Sequence, residues 1–228
     1  MVYYTHALYE EIIEKIKALK PETLILDDGL FDHYYYIDEL VKHCKRLILA
    51  IPTELIIEDD ILRSRYIDTN KHLKAKSCYD YEYDFFVNGN VYVFMSKSEI
   101  EYALQFSNVE LAFHSSYHKY IIDPISGFSH PIYDLIHKKR YLYNSFYYTS
   151  GFYQIDQKLY PRSFKQYLKD LEEDFILGFS WLEKHFGLKF SIYVPPYNRL
   201  STFQMMFLQR FGISEVYASD RICLETSL

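Results

Sequence analysis

The run Leu24-Ile25-Leu26 ends in Asp27-Asp28-Gly29, and that junction limits what the chain can fold into more than any other stretch. Three aliphatics between a polar helical pattern and a turn read as a buried strand, and strands of parallel sheets and barrels present their C-terminal ends to a site. Successive side chains on a strand point to opposite faces. The two carboxylates therefore take different roles unless the chain kinks, and Gly29 supplies the freedom for a kink. Downstream, a second apolar run, Val109–Phe113, leads into His114-Ser115-Ser116-Tyr117-His118. One carboxylate with two imidazoles is the donor set of an open transition-metal site, which leaves the second carboxylate free to act as a base.

The rest of the chain alternates in the same manner. Residues 9–19 place Ile12, Ile13, Ile16 and Leu19 at helical spacing before Pro21, residues 32–45 repeat the helical pattern, and residues 47–52 read as a buried strand. Residues 24–51 thus have the length of a βαβ crossover, which builds a parallel sheet. Residues 58–83 carry charges and tyrosines without a steady period and read as a surface excursion. Val87-Asn88-Gly89-Asn90-Val91 carries the signal of a tight turn between extended segments. Further helices fit residues 96–106, capped by Ser96, residues 163–185, stopped by Gly187, and residues 202–210; further strands fit residues 190–194 and 213–218. Residues 120–161, with their Gly, Pro and aromatic residues, read as a loop that could cover a substrate. The pattern is that of one α/β domain spanning residues 1–228.

A formal charge of -6 and a pI near 5.8 leave no electrostatic footprint for nucleic acid. Residues 1–20 lack the apolar centre of a signal peptide, and no run reaches the roughly 18 apolar residues of a membrane span, so the expected location is cytoplasmic. Cys44, Cys78 and Cys223 stand at scattered spacing, as suits reduced thiols. With 25 Tyr and 17 Phe against 7 Gly, sugar stacking is one use for the aromatics, but at this density they fill core positions first.

These residues resemble the motifs of the polysaccharide deacetylase (NodB-homology) family, carbohydrate esterases of the family-four type. Leu26-Asp27-Asp28-Gly29 resembles the family's T-F-D-D-G, His114 to His118 its H-[ST]-x-x-H, and Tyr193-Val194-Pro195-Pro196-Tyr197 its proline turn before a helix. The resemblance implies an incomplete or distorted (β/α) barrel of about five to seven parallel strands with the motifs at one rim. The open strand edge would be covered by a partner subunit or by the aromatic loop. It further implies that Asp28, His114 and His118 bind a divalent metal, commonly zinc, and that Asp27 is the general base. The backbone N–H of Tyr197 would help to stabilise the oxyanion, and Ser115 would hold the turn between the histidines.

Two positions depart from the family. Its arginine before the proline pair is Val194 here, with Arg199 the nearest alternative, and its C-terminal Leu-x-His general acid has no counterpart, which leaves His130 and His137 as first candidates. The implied function is a metal-dependent N-deacetylase of an acetamido sugar. Its substrate would be a lipid- or nucleotide-linked intermediate of cytoplasmic surface-polysaccharide synthesis, as in the WbmS-type branch of O-antigen clusters. A catalytically silent homologue that binds metal and a sugar or partner protein is the alternative, and a hydrolase of another amide or ester also fits these motifs.

Overall fold

The computed structural model describes residues 1–122, 128–129, 131–136, 143–155, 158–187 and 189–225. Its strands are β1 (Val2–Thr5), β2 (Thr23–Leu26), β3 (Arg46–Ile51), β4 (Val109–Phe113), β5 (Tyr120–Ile122), β6 (Phe128–Ser129), β7 (Tyr143–Phe146), β8 (Phe152–Ile155), β9 (Lys158–Pro161), β10 (Ile192–Tyr193), β11 (Glu215–Val216) and β12 (Ile222–Cys223). Among the described residues, seven of these form one parallel sheet in the order β11-β10-β4-β3-β2-β1-β12, curled into an incomplete barrel. In a parallel ladder every strand leaves the sheet at the same rim. Here Thr5 pairs with Leu26, Ile51 with Phe113 and Phe113 with Tyr193. The ladder runs one residue further: the backbone N–H of Asp27 donates to Thr5 at 3.0 Å, that of His114 to Ile51 at 3.1 Å and that of Val194 to Phe113 at 3.0 Å.

Strand alternation sorts the side chains into two layers. Leu24, Leu26, Leu47, Leu49, Ile51, Leu111, Phe113 and Tyr193 pack under the helices, among them Glu10–Leu19, Lys97–Ala103 and Phe164–Phe186. The opposite, inner face carries a smaller cluster, Ile25, Ile48, Ala50, Ala112, Ile192 and Val194. At the entry end of that face Arg46 ties three strands together: its guanidinium donates to Glu110 at 2.7 and 2.8 Å and to Glu215 at 2.6 and 2.9 Å. The edge strands β11 and β12 are two residues long, too short to template further pairing. Aromatics do fill the core, with Tyr34, Tyr36, Phe113, Phe146, Phe175 and Tyr193 among the largest fully buried side chains.

Several expectations need correction. The helix expected over residues 9–19 is Glu10–Leu19, but the strand β1 that precedes it has no counterpart in the sequence reading. Residues 32–45 form two helices, Phe31–Tyr35 and Ile37–His43, broken at the buried Tyr36. Residues 58–83 are more than a surface excursion. The hydroxyl of Tyr34 donates to Arg63 O at 3.0 Å and Tyr36 accepts from Leu73 N at 3.0 Å, anchoring the segment on the core, and residues 78–86 form a helix. Asn88-Gly89 closes that helix, with no hairpin around it. Within residues 120–161 an antiparallel sheet of β5, β7 and β6, the helix Pro131–Ile136 and the β8–β9 hairpin replace the expected loop. No helix among the described residues is long and apolar enough to cross a membrane.

Phe164–Phe186 crosses β4 at Gly178, where a Cβ would stand 2.1 Å from Phe113 Cε2 and 2.9 Å from Ser116 Oγ. Phe113 is wedged against Phe179, 4.8 Å between ring centroids, and cannot withdraw. Overpacking at such a contact costs about 1–3 kcal/mol, more than the gain of up to about 1 kcal/mol from alanine's helix propensity. Gly178→Ala should therefore lower the urea midpoint at unchanged m-value, and an equal or higher midpoint would show that the crossing is looser than drawn.

Candidate active site

The rim brings together residues that lie far apart in the chain. Asp27 continues the inner face of β2 and is 2 % exposed. Each of its oxygens lies 3.0 Å from Arg221 Nη1. The same guanidinium lies 4.3 Å from the Tyr4 ring centroid and donates through Nη2 to Asn198. Arg221, and not Arg199, is thus the cation on the buried carboxylate. Nothing in the local sequence marks it, because it sits just before the two-residue strand β12, whose pairing with β1 carries it to Asp27.

Asp28 would point away from this face if β2 continued. Instead Asp28 and Gly29 both turn left-handed, at φ 78° and 62°, and swing the second carboxylate back to the rim. The kink thus begins at the aspartate itself, a residue type that tolerates this region better than most. A side chain at Gly29 would meet Ile51 Cδ1 at 3.2 Å, and Gly29 O is held by the N–H of Met95 at 2.9 Å.

The histidine segment uses the same device twice, with Ser115 at φ 70° and His118 at φ 47°. The two imidazoles end 4.9 Å apart, and their Nε2 atoms lie 3.3 Å (His114) and 3.2 Å (His118) from Asp28 Oδ1. Ser115 does hold the turn: its hydroxyl donates to Asp174 Oδ1 at 2.9 Å, which also accepts the N–H of Ser116 at 2.8 Å. Asp174 is missed by sequence reasoning, although its signal exists: it stands three residues from Leu171 on the buried stripe of an amphipathic helix.

The donors fit a cation. His114 Nδ1 lies 2.6 Å from Val194 O, a carbonyl that can only accept, so Nδ1 carries a proton and Nε2 is the nitrogen turned toward Asp28. Burial, the largest influence on His118, pushes its pKa down to about 4 despite Asp28, so this ring is neutral. Burial would raise Asp28, but His118, His114 and His6 outweigh it and hold the carboxyl well below the usual range. Asp28 Oδ1 is buried and accepts no hydrogen bond. Three lone-pair donors within 4.8 Å of one another form a set that repels itself without a cation between them.

A second group meets the first across a cavity of about 230 Å³ whose lining includes Asp27, Asp28, His6, His114, His118 and Tyr197. His6 follows β1 as Asp27 follows β2, so the ladder sets them side by side. Its Nδ1 lies 2.9 Å from Glu225 Oε2, which also accepts the N–H of His6 at 2.8 Å, and His33 Nε2 donates to His6 O at 2.8 Å. Burial would lower the His6 pKa. The bond to Glu225 and the charges of Asp28, Glu225 and Asp27 prevail and raise it well above the ordinary imidazole value. His6 and Glu225 escape sequence reading for the same reason as Arg221. His130 and His137 lie outside the described residues. Tyr197 adopts φ 55°, with its ring 4.7 Å from that of His118.

No protein-family model matches the sequence, and no curated protein matches it. Among solved structures it is similar to the BpsB deacetylase domain of Bordetella bronchiseptica, with TM-score 0.58 and 14 % identity over 88 % of this chain and 69 % of that one. It is also similar to a de-N-acetylase of Aggregatibacter actinomycetemcomitans, with TM-score 0.57 and 16 % identity over 99 % and 80 %. For IcaB of Ammonifex degensii the TM-score is 0.55, at 13 % identity over 98 % and 84 %. The likeness is one of fold: the chain has the incomplete barrel of the polysaccharide deacetylases.

Burial pushes Asp174 from the ordinary 3.8 up to about 7, against the bonds from Ser116 and Ser115. The folded state therefore favours its protonated form, a contribution complete below about pH 3.8 and lost as pH rises through about 7. Asp174→Asn keeps an oxygen for the two serines and abolishes the titration. Calorimetric Tm values should shift in the variant's favour, relative to the parent, from pH 4 to pH 7; a difference independent of pH would remove Asp174 from the titrating groups.

Proposed function

We propose that this chain is a metal-dependent amide hydrolase that removes the acetyl group from an acetamido sugar. The observation that carries the proposal is Asp28, His114 and His118 converging at one rim with a second, arginine-clamped carboxylate, Asp27, beside them. The proposal includes a lipid- or nucleotide-linked sugar of cytoplasmic surface-polysaccharide synthesis as substrate.

Asp28, His114 and His118 would hold a divalent cation, zinc in this proposal, which acidifies a water and polarises the amide carbonyl. Asp27 takes the proton of the attacking water, and Arg221 fixes the carboxylate for that task. The backbone N–H of Tyr197 donates to the carbonyl oxygen as the carbon becomes tetrahedral. When the C–N bond breaks, the nitrogen needs a proton. His6 is the cationic acid of the cavity, and Glu225 holds its Nδ1 side so that the other nitrogen serves the substrate. Acetate and a free amine leave.

The silent-homologue alternative rests on the missing arginine and acid of the family motifs. Arg221 on Asp27 and the His6–Glu225 pair in the cavity offer an arginine and an acid from other parts of the chain, which supports the enzyme reading.

Asp27→Asn should keep its zinc, measured by metal analysis, and lose about 10² in acetate release. Asp28→Asn, His114→Ala and His118→Ala should lose the metal instead, since a three-ligand site spares none. Stoichiometric zinc in any of those three, or full turnover in Asp27→Asn, would refute the assignment.

His6 supports turnover in its protonated form, so the rate should fall as pH rises through its elevated pKa. Glu225→Gln should move that alkaline limb to lower pH, and His6→Gln should remove it along with about 10² of kcat. An alkaline limb unmoved in Glu225→Gln would assign the proton to another group.

A further inference from the structure

Beside the catalytic rim lies a second cavity, of about 240 Å³, whose wall is mainly apolar: Leu30, Leu55, Cys78, Phe85, Val93 and Phe94. Asp28 and His118 line this cavity as well as the polar one, so the two open onto the same pair of donors. The wall is built, not incidental. Leu30, Val93 and Phe94 are buried to within 6 % of full burial and form a hydrophobic cluster with the partly buried Leu55, Cys78 and Phe85. Leu30 pairs with Phe94 as an isolated antiparallel bridge, and Met95 N donates to Gly29 O at 2.9 Å, fixing this wall to the turn that aims Asp28.

An acetyl methyl fills about the space of one water, roughly 30 Å³, so acetyl alone leaves most of this cavity vacant. A sugar ring would demand polar partners all around its hydroxyls, and here Tyr81, Glu82, Tyr117, Lys119 and Tyr120 stand on one part of the lining only, while the packed wall of Leu30, Val93 and Phe94 offers none. The group of an amide that lies nearest the carbonyl on the side away from nitrogen is its acyl chain. We propose that this cavity is an acyl-chain site and that the enzyme hydrolyses N-acyl amino sugars with acyl groups longer than acetyl, up to about six to eight carbons.

The step is ordinary amide hydrolysis. Water adds to the carbonyl carbon, the C–N bond breaks, the nitrogen leaves with a proton as the amine, and the acyl group leaves as a carboxylate. The proposal rests on the hydrolase function put forward above, and two independent measurements separate them. In the first, zinc-loaded protein is offered glucosamine N-acylated with acetyl, butyryl, hexanoyl and octanoyl groups. The ratio kcat/KM should rise about fourfold per methylene, the factor that accompanies burial of one methylene, and level off near six to eight carbons. In the second, titration calorimetry reads the affinity of the matching hydroxamic acids, from acetohydroxamic to octanohydroxamic, which requires no turnover. Leu55→Trp, at a half-buried position, should cancel the chain-length dependence in both, with Tm checked to exclude unfolding.

Hydroxamate affinity that climbs with chain length and turns flat in Leu55→Trp supports the acyl site, even if no amide is cleaved, in which case the hydrolase function fails and the site remains. Acetyl hydrolysis with hydroxamate affinity flat or falling along the series overturns the acyl site and leaves the hydrolase. Absence of both overturns both.

Discussion

Adjacent carboxylates on a strand face opposite sides of the sheet, and this site needs them together. The left-handed turn at Asp28 and Gly29 resolves that conflict, and the surroundings are arranged to hold it. Met95 fixes the Gly29 carbonyl, Ile51 Cδ1 would crowd a side chain at Gly29, and the redirected carboxylate ends 3.2 and 3.3 Å from the two imidazole nitrogens. Backbone conformations of this kind cost free energy locally and persist only where the environment over-determines them. Ser115, His118 and Tyr197 share the same left-handed region, so each motif that reaches the rim does so through a turn that an ordinary strand exit would not make.

The parallel ladder does the rest of the placement. It converts sequence distance into adjacency: His6, Asp27 and His114 each follow the last residue of a strand, and the registers of β1, β2, β3 and β4 align those ends. Arg46 at the opposite end of the inner face joins β3, β4 and β11 through Glu110 and Glu215, bracing the curl from below while Arg221 and Asp27 brace it from above. The inner face between them is lined by small and branched side chains, Ala50, Ala112, Ile25 and Ile48, all fully buried.

How much of this can be read from sequence follows from what each element depends on. Asp27, Asp28, His114 and His118 were legible because both motifs begin where a run of apolar residues ends, and the burial of such a run is a local property, and the long helix because its apolar stripe repeats over many turns. His6, Arg221 and Glu225 were not, because they owe their place to β1 and β12. Those strands span four and two residues, show no usable alternation, and matter only through whom they pair with. The aromatic segment 120–161 hid its short strands for the same reason. Asp174 and Gly178 occupy the opposite case: each breaks the apolar stripe of Phe164–Phe186 at the point where the helix meets β4 and the histidine turn, and such a break is a sign of contact that periodicity alone does not interpret.

The bond between His6 and Glu225 spans 219 positions and that between Asp27 and Arg221 spans 194. On the ribosome the front half of the cleft is therefore made first and waits for its counterparts until residues 221–225 have emerged. Until β12 docks beside β1, Asp27 is a buried carboxylate without its cation and His6 an imidazole without its acid, an arrangement that penalises premature closure of the rim. The competent cleft therefore depends on contacts of long sequence separation, the kind whose loop-closure entropy weighs most in folding.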